Sequence, residues 1–164
     1  MRYNKIRKMD ISNGPGVRVS IFCQGCHFHC KNCFNEETWD FEGGREFNDE
    51  VIEEVLELSS DDCIIGLSIL GGEPWNPKNI EGTTKIAKAF KEKYPNKTIW
   101  SWSGYTFEEY LSKKNGIKYI DVIVDGQFKN ELRNPNLKWK GSENQRVIDV
   151  QKSLNKNKIV LYEE

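Results

Sequence analysis

The sequence has no surplus of either charge. Its 24 Lys and Arg stand against 25 Asp and Glu, a formal net charge of −1. A nucleic-acid-binding domain normally carries a basic excess or stripe, so no polyanion partner is expected. The charges are interspersed, as on a solvated face. Long apolar runs are missing as well. None approaches the roughly 20 residues of a membrane helix, so no membrane partner is expected. Met1 to Asp10 mixes Arg2, Lys5, Arg7 and Lys8 with few apolar residues. It lacks the apolar centre of a signal peptide, which points to the cytoplasm. No internal repeat, low-complexity tract or linker is visible. Residues 1–164 are therefore read as a single domain. A chain of this length buries about two-thirds of its unfolded surface and needs no disulfide staples. Clustered cysteines in a reducing compartment are metal-binding or catalytic.

What is present alternates between strand and helix signals. Val17 to Cys23 is β-branched and alternating, which reads as a strand. Asn48 to Leu58 reads as a helix with Asn48 as N-cap and Val51, Ile52, Val55 and Leu56 as its apolar stripe. Cys63 to Leu70 is a strand apolar enough to be buried on both faces. Asn79 to Tyr94 is a second helix, stopped by Pro95. Thr98 to Trp102 and Tyr119 to Val124 are further strands, and Lys158 to Tyr162 is a last one. Thr106 and Glu109 form a capping box that opens a short helix closed at Asn115-Gly116. Asn130 to Glu143 reads as loop. The alternation implies an α/β architecture with a mostly parallel sheet. Trp100, Trp102 and Trp139 could serve a partner surface, although aromatic residues in strands more often belong to the core.

Four of the five cysteines fall within eleven residues, as Cys23-x-x-Cys26-x-x-x-Cys30-x-x-Cys33. Such crowding in a reducing compartment implies a metal. A structural zinc site would use four ligands and be closed. A ferredoxin-type cluster would also use four thiolates. A four-iron cluster held by Cys26, Cys30 and Cys33 alone would leave one iron open to a small molecule. Cys23 and Cys63 are then small buried hydrophobes. His27 and His29, the only histidines, serve packing or hydrogen bonding around the site.

Gly71-Gly72-Glu73-Pro74 follows a strand. Glycines permit close backbone approach to a ligand, and the Glu73 carboxylate suits an ammonium group. The Cys-x-x-x-Cys-x-x-Cys spacing together with this loop resembles the radical S-adenosylmethionine (SAM) superfamily. Over most of its length the chain resembles one branch, the activating proteins of anaerobic ribonucleoside-triphosphate reductases. The resemblance is carried by Asn13-Gly14-Pro15-Gly16-x-Arg18, by Cys33-Phe34-Asn35 with Thr38-Trp39, and by Ile99 to Tyr105. Asp121 to Gly126 and Gly141-Ser142-x-Asn144-Gln145-Arg146 complete it, the last being the most branch-specific. The sequence departs in having Asn32 where many superfamily members carry an aromatic residue before the last cysteine. It also has Glu73 where this branch commonly has Asp.

The resemblance implies a partial, open radical SAM-type β/α barrel. It implies a [4Fe-4S] cluster on Cys26, Cys30 and Cys33, with SAM on the open iron. Gly71, Gly72 and Glu73 would hold the amino end of SAM, and the backbone around Asn32, Cys33 and Phe34 would face its adenosyl part. Ser103 and Asp125, at C-terminal strand ends, are further SAM contacts by analogy with barrel folds. Reductive cleavage of SAM would yield a 5′-deoxyadenosyl radical. That radical would take a hydrogen atom from a glycine of the reductase large subunit. An electron donor such as flavodoxin is implied. With four to five strands expected, the barrel is open enough to admit a glycine loop. The rival readings are another small radical SAM enzyme, acting on a different glycyl-radical protein or making a deazaguanine, and a zinc-stabilised binding module.

Overall fold

A computed structural model describes residues 1–164. Its strands are β1 (Arg2–Asp10), β2 (Val17–Gln24), β3 (Arg45–Glu46), β4 (Ile64–Gly71), β5 (Thr98–Trp102), β6 (Val122–Asp125) and β7 (Arg146–Asp149). Its helices are α1 (Asp49–Leu58), α2 (Ile80–Lys93) and α3 (Val150–Lys156). The seven strands form one open sheet in the order β3-β1-β2-β4-β5-β6-β7. β2, β4, β5 and β6 run parallel at its centre, while β1 and β7 pair antiparallel with them at either side. This is the mixed α/β, mostly parallel open sheet expected from the alternation of elements.

Period-two alternation divides the sheet into two faces. Val19, Ile21 and Cys23 of β2, with Leu67 and Ile69 of β4, join a core of 23 buried residues. α1 contributes Val51, Ile52, Val55 and Leu56 to that core, and α2 contributes Ile86, Ala87 and Phe90. The other face carries Arg18, Ser20 and Phe22 of β2, with Ser68 and Leu70 of β4. Arg18 is fully buried there. Its guanidinium donates to Ser68 Oγ, Thr98 Oγ1 and the carbonyls of Pro15, Leu67 and Thr98. Those bonds offset its desolvation, which brings its pKa down to about 10. The Asn13-Gly14-Pro15-Gly16-x-Arg18 segment is thus a turn closed by its own arginine.

Asn48 caps α1 as expected, its side chain accepting from Val51 N at 3.1 Å. Asn79 precedes α2 but caps nothing with its side chain. Its amide instead donates to the carbonyls of Gln24, Gly25 and Glu73, pinning the start of α2 to two loops.

Several expectations are corrected. β1, β3, β7 and α3 were not anticipated; β1 is a charged strand near the sheet edge without apolar alternation, and β7 and α3 are short. The short helix from Thr106 does not form. Phe107 N is taken by Asp125 Oδ2 at 2.8 Å, and the chain runs into 3-10 turns at Leu111–Lys113 and Asn115–Tyr119. Tyr119 therefore lies outside β6. Lys158 to Tyr162 is not a strand. Only Leu161 bridges to Ile148, after α3 ends at the left-handed Asn157. Cys63 is exposed rather than buried, just ahead of β4. No helix is long and apolar enough to cross a membrane.

Candidate cofactor site

The cysteine loop leaves β2 at its C-terminal end and is held by backbone bonds. Gly25 N donates to Thr38 O at 2.6 Å and Cys26 N to Trp39 O at 3.1 Å. Inside the loop Cys33 N donates to Cys30 O at 3.1 Å, and Asn35 N reaches Cys33 Sγ at 3.4 Å. His29 and Asn32 adopt left-handed backbone, with φ of 48° and 59°. These residues fold the loop tightly enough to turn three thiols toward one side.

That side is a cavity of about 650 Å³ on the open face of the sheet. Cys26, Cys30 and Cys33 line it, together with Phe34, Gly71, Gly72, Glu73 and Ser103. Asn32 and Asp125 do not line it. Asn32 is exposed, and its amide bonds Asn130 Oδ1 at 3.0 Å. Asp125 is buried, and its carboxylate is taken by Arg146 and by Phe107 N. Cys23 faces away from the cavity into the core and is fully buried. Burial pushes its thiol up to about 12.

The glycine loop approaches the cysteine loop through backbone. Gly72 N donates to Cys23 O at 3.0 Å and Glu73 N to Gly25 O at 2.8 Å. A Cβ on Gly71, whose φ is +120°, would lie 2.5 Å from Cys23 N. One on Gly72 would lie 2.5 Å from Gly25 O. No side chain fits between these two loops. Glu73 is 1% exposed. Its Oε2 accepts from Trp75 N and Ser103 Oγ, and its Oε1 from Gly104 N. Burial pushes its carboxyl up to about 7 against the pull of those three bonds.

Comparisons with known proteins point to an iron–sulfur domain. Residues 12–148 match the family model described as a 4Fe-4S single cluster domain. The chain is 37% identical over 148 residues to the anaerobic ribonucleoside-triphosphate reductase-activating protein of Vibrio cholerae serotype O1, covering 88% of this chain and 96% of the relative. It is 38% identical over 147 residues to that of Enterobacteria phage T4, covering 90% and 93% of the two chains. It is 35% identical over 150 residues to that of Escherichia coli strain K12, covering 90% and 97%. The chain belongs to the anaerobic ribonucleoside-triphosphate reductase-activating protein family.

The residues present fit an iron–sulfur cluster. Three thiols line one cavity, and thiolate sulfur is the soft donor that holds iron–sulfur clusters. Burial pushes the Cys26 thiol up to about 11 and raises Cys30 as well. A bound cation is what makes the thiolate form favourable in such a place. Trp39 lines the same cavity, and its indole Nε1 is the one buried side-chain polar atom without a hydrogen-bond partner.

The two histidines take local roles. His27 Nδ1 pairs with Asn76 Nδ2 at 2.9 Å, and His29 stacks on Trp39 at 4.4 Å. Sequence reasoning missed the contribution of the late loop. Phe128 and Gly141 line the cavity, and a Cβ on Gly141 would meet the Phe34 ring at 2.9 Å. The Gly-Ser-x-Asn-Gln-Arg segment holds that loop in place. Gln145 Oε1 accepts from the Gly141 and Ser142 amides while its Nε2 donates to Gly126 O. Trp102, at the end of β5, also lines the cavity and donates from Nε1 to Trp139 O at 2.8 Å. The motif was visible in the sequence. That it folds over the cysteines was not, because its contacts span more than a hundred residues of chain.

Proposed function

We propose that this protein is a single radical SAM domain that activates an anaerobic ribonucleoside-triphosphate reductase, installing a glycyl radical on the reductase large subunit. The observation that carries the reading is the division of the cysteines. Cys26, Cys30 and Cys33 line the cavity with the Gly-Gly-Glu loop, while Cys23 is turned into the core. Three thiolates leave a [4Fe-4S] cluster with one iron for an outside ligand. When bound, the cluster and SAM supply one-electron reduction and the 5′-deoxyadenosyl radical that this reduction releases.

The chain's own part is to bind, orient and exclude water. Cys26, Cys30 and Cys33 hold the cluster. The Gly71-Gly72 backbone and Glu73 Oε1, which accepts only one bond within the chain, receive the amino end of SAM. Backbone from Cys33 to Phe34, which lines the cavity where Asn32 does not, faces the adenosyl part. Ser103 positions Glu73 through its hydroxyl. A cavity of about 650 Å³ lies within the usual range for cofactor sites, roughly 300–1,000 Å³. The electron comes from a donor such as flavodoxin, in the cytoplasm.

The test is anaerobic incubation of the cluster-loaded protein with SAM, a reductant and the cognate reductase, read by electron paramagnetic resonance. A glycyl doublet on the reductase is the expected result. A zinc-bearing protein without iron, or SAM cleavage with no radical on the reductase, would overturn the assignment.

A further inference from the structure

The cavity extends beyond the cysteine loop. Arg7, Ser12 and Asn13 line it as well as the three cysteines. In the β1–β2 register Arg7 stands opposite Ser20, and Tyr3 opposite Cys23. At about 3.3 Å per residue this places the Arg7 row roughly 10 Å from the cysteine end of β2. The site is therefore a trough along the open face of the sheet, longer at one end than a cluster pocket.

The charge of its wall is one-sided. Arg7, Arg133 and Lys140 line it, against Glu73 as the only carboxylate. Glu73 is buried and already accepts three bonds from the chain. Lys140 Nζ donates to Gln145 O. The two guanidiniums differ from these. Arg7 reaches a carboxylate only at 4.0 Å, and that group, Asp10, already accepts from Ser12, Asn13 and Ser20. Arg133 forms no ion pair, and its guanidinium stands 5.2 Å over the Phe34 ring. Arg7 stands likewise 5.0 Å over Phe22. A guanidinium held near a ring by cation–π attraction keeps its N–H donors for another partner.

We infer that Arg7 and Arg133 receive a carboxylate-bearing segment of the reductase polypeptide in the part of the trough the cofactors leave open. The inference rests on the proposed function. A guanidinium edge matches a carboxylate with two parallel hydrogen bonds. The carboxylate of SAM does not meet this need, because in that reading it is engaged at the open iron. A protein substrate is what brings an additional carboxylate into the trough.

The experiment measures the dissociation constant of the cognate reductase from the cluster-loaded, SAM-bound protein by anaerobic calorimetry, at low and high salt. Arg7→Ala and Arg133→Ala are each expected to weaken binding roughly tenfold or more. Arg7→Lys and Arg133→Lys, which keep the charge and lose the fork, are expected to fall between wild type and alanine. Wild-type affinity should drop with added salt more steeply than that of either alanine variant. Unchanged affinity in both alanine variants would overturn this inference and leave the functional reading standing. Arginine-dependent binding without any glycyl radical would support this inference and overturn the radical chemistry. No wild-type binding at all would overturn both.

Discussion

Ser103 Oγ donates to Glu73 Oε2 at 2.8 Å, joining the segment after β5 to the loop after β4. The next amide, Gly104 N, reaches Glu73 Oε1 at 2.7 Å. One buried carboxylate thereby fixes two strand ends at the rim of the cavity. A glutamate that reads from sequence as a ligand group is also the clamp that shapes the ligand's surroundings.

The clamp makes stability depend on pH. Burial raises the Glu73 carboxyl from 4.5 to about 7, so folding disfavours its ionised form. Its contribution is fully present below about pH 4.5, declines as pH rises, and is lost above about 7. The full span amounts to about 3 kcal/mol. Urea unfolding of the anaerobic apoprotein at pH 5.5 and pH 8 should show about 2 kcal/mol of this loss in wild type. Glu73→Gln should remove that part of the difference. Equal pH dependence in the two proteins would contradict it.

Neighbouring backbone leaves no room for a side chain at Gly71 or Gly72. Gly71→Ala forces a Cβ to 2.5 Å from Cys23 N at φ +120°, and Gly72→Ala forces one to 2.5 Å from Gly25 O. Neither neighbour is a flexible side chain. Each variant is expected to lose about 2–3 kcal/mol of stability. Each should also displace the cysteine loop. Thermal unfolding and iron content after reconstitution would show both effects. An alanine variant as stable as wild type would contradict this packing.

The central sheet was legible in the sequence because β2 and β4 are buried on both faces and their apolar runs are continuous. The cysteine spacing and the glycine loop were legible because each is local in sequence. β1 was not, since a strand near the edge with charges at Lys5, Arg7 and Lys8 carries no apolar alternation. The segment after Thr106 misled because its capping box opens a single turn whose later bonds, Leu111 N to Thr106 O and Ser112 N to Phe107 O, are spaced too widely to propagate an α-helix. Asp125 misled for a different reason. Its place at the end of β6 resembled a ligand position, but its carboxylate is taken by Arg146 of β7. Pairing across that distance is set by the fold and leaves no mark in local pattern.

The cysteines should separate cleanly in metal content. Cys26→Ser, Cys30→Ser and Cys33→Ser each remove a thiol from the cavity wall. Each variant is expected to lose most of the about four irons a single [4Fe-4S] cluster contains. Cys23→Ala removes a sulfur from the core, where the residue is fully buried. It should keep the iron and cost about 1 kcal/mol from the small cavity left behind. Anaerobic iron and sulfide analysis, with the visible absorption of the reconstituted proteins, decides this. Loss of iron in Cys23→Ala at unchanged folding would place a fourth thiolate on the cluster and close the open coordination position.

Arg146 bonds two carboxylates whose surroundings differ, and their removal should differ accordingly. Asp125 is 1% exposed and takes both Arg146 Nε at 3.0 Å and Nη2 at 2.6 Å, besides Phe107 N. The Glu108 side chain is 56% exposed. Replacing one partner of a fully buried pair costs about 3–5 kcal/mol. Arg146 remains a third exposed and keeps Glu108, so Asp125→Asn is expected to cost about 2–3 kcal/mol. Glu108→Gln falls in the range of surface pairs, about 0–1 kcal/mol. Arg146 adjoins Gln145, which ties the late loop to Gly126. Asp125→Asn should therefore speed amide exchange from Gln127 to Gln145 as well. Chemical denaturation of both variants, with hydrogen exchange across that loop, makes the comparison. Equal losses for the two carboxylates would mean that burial does not set the strength of this network.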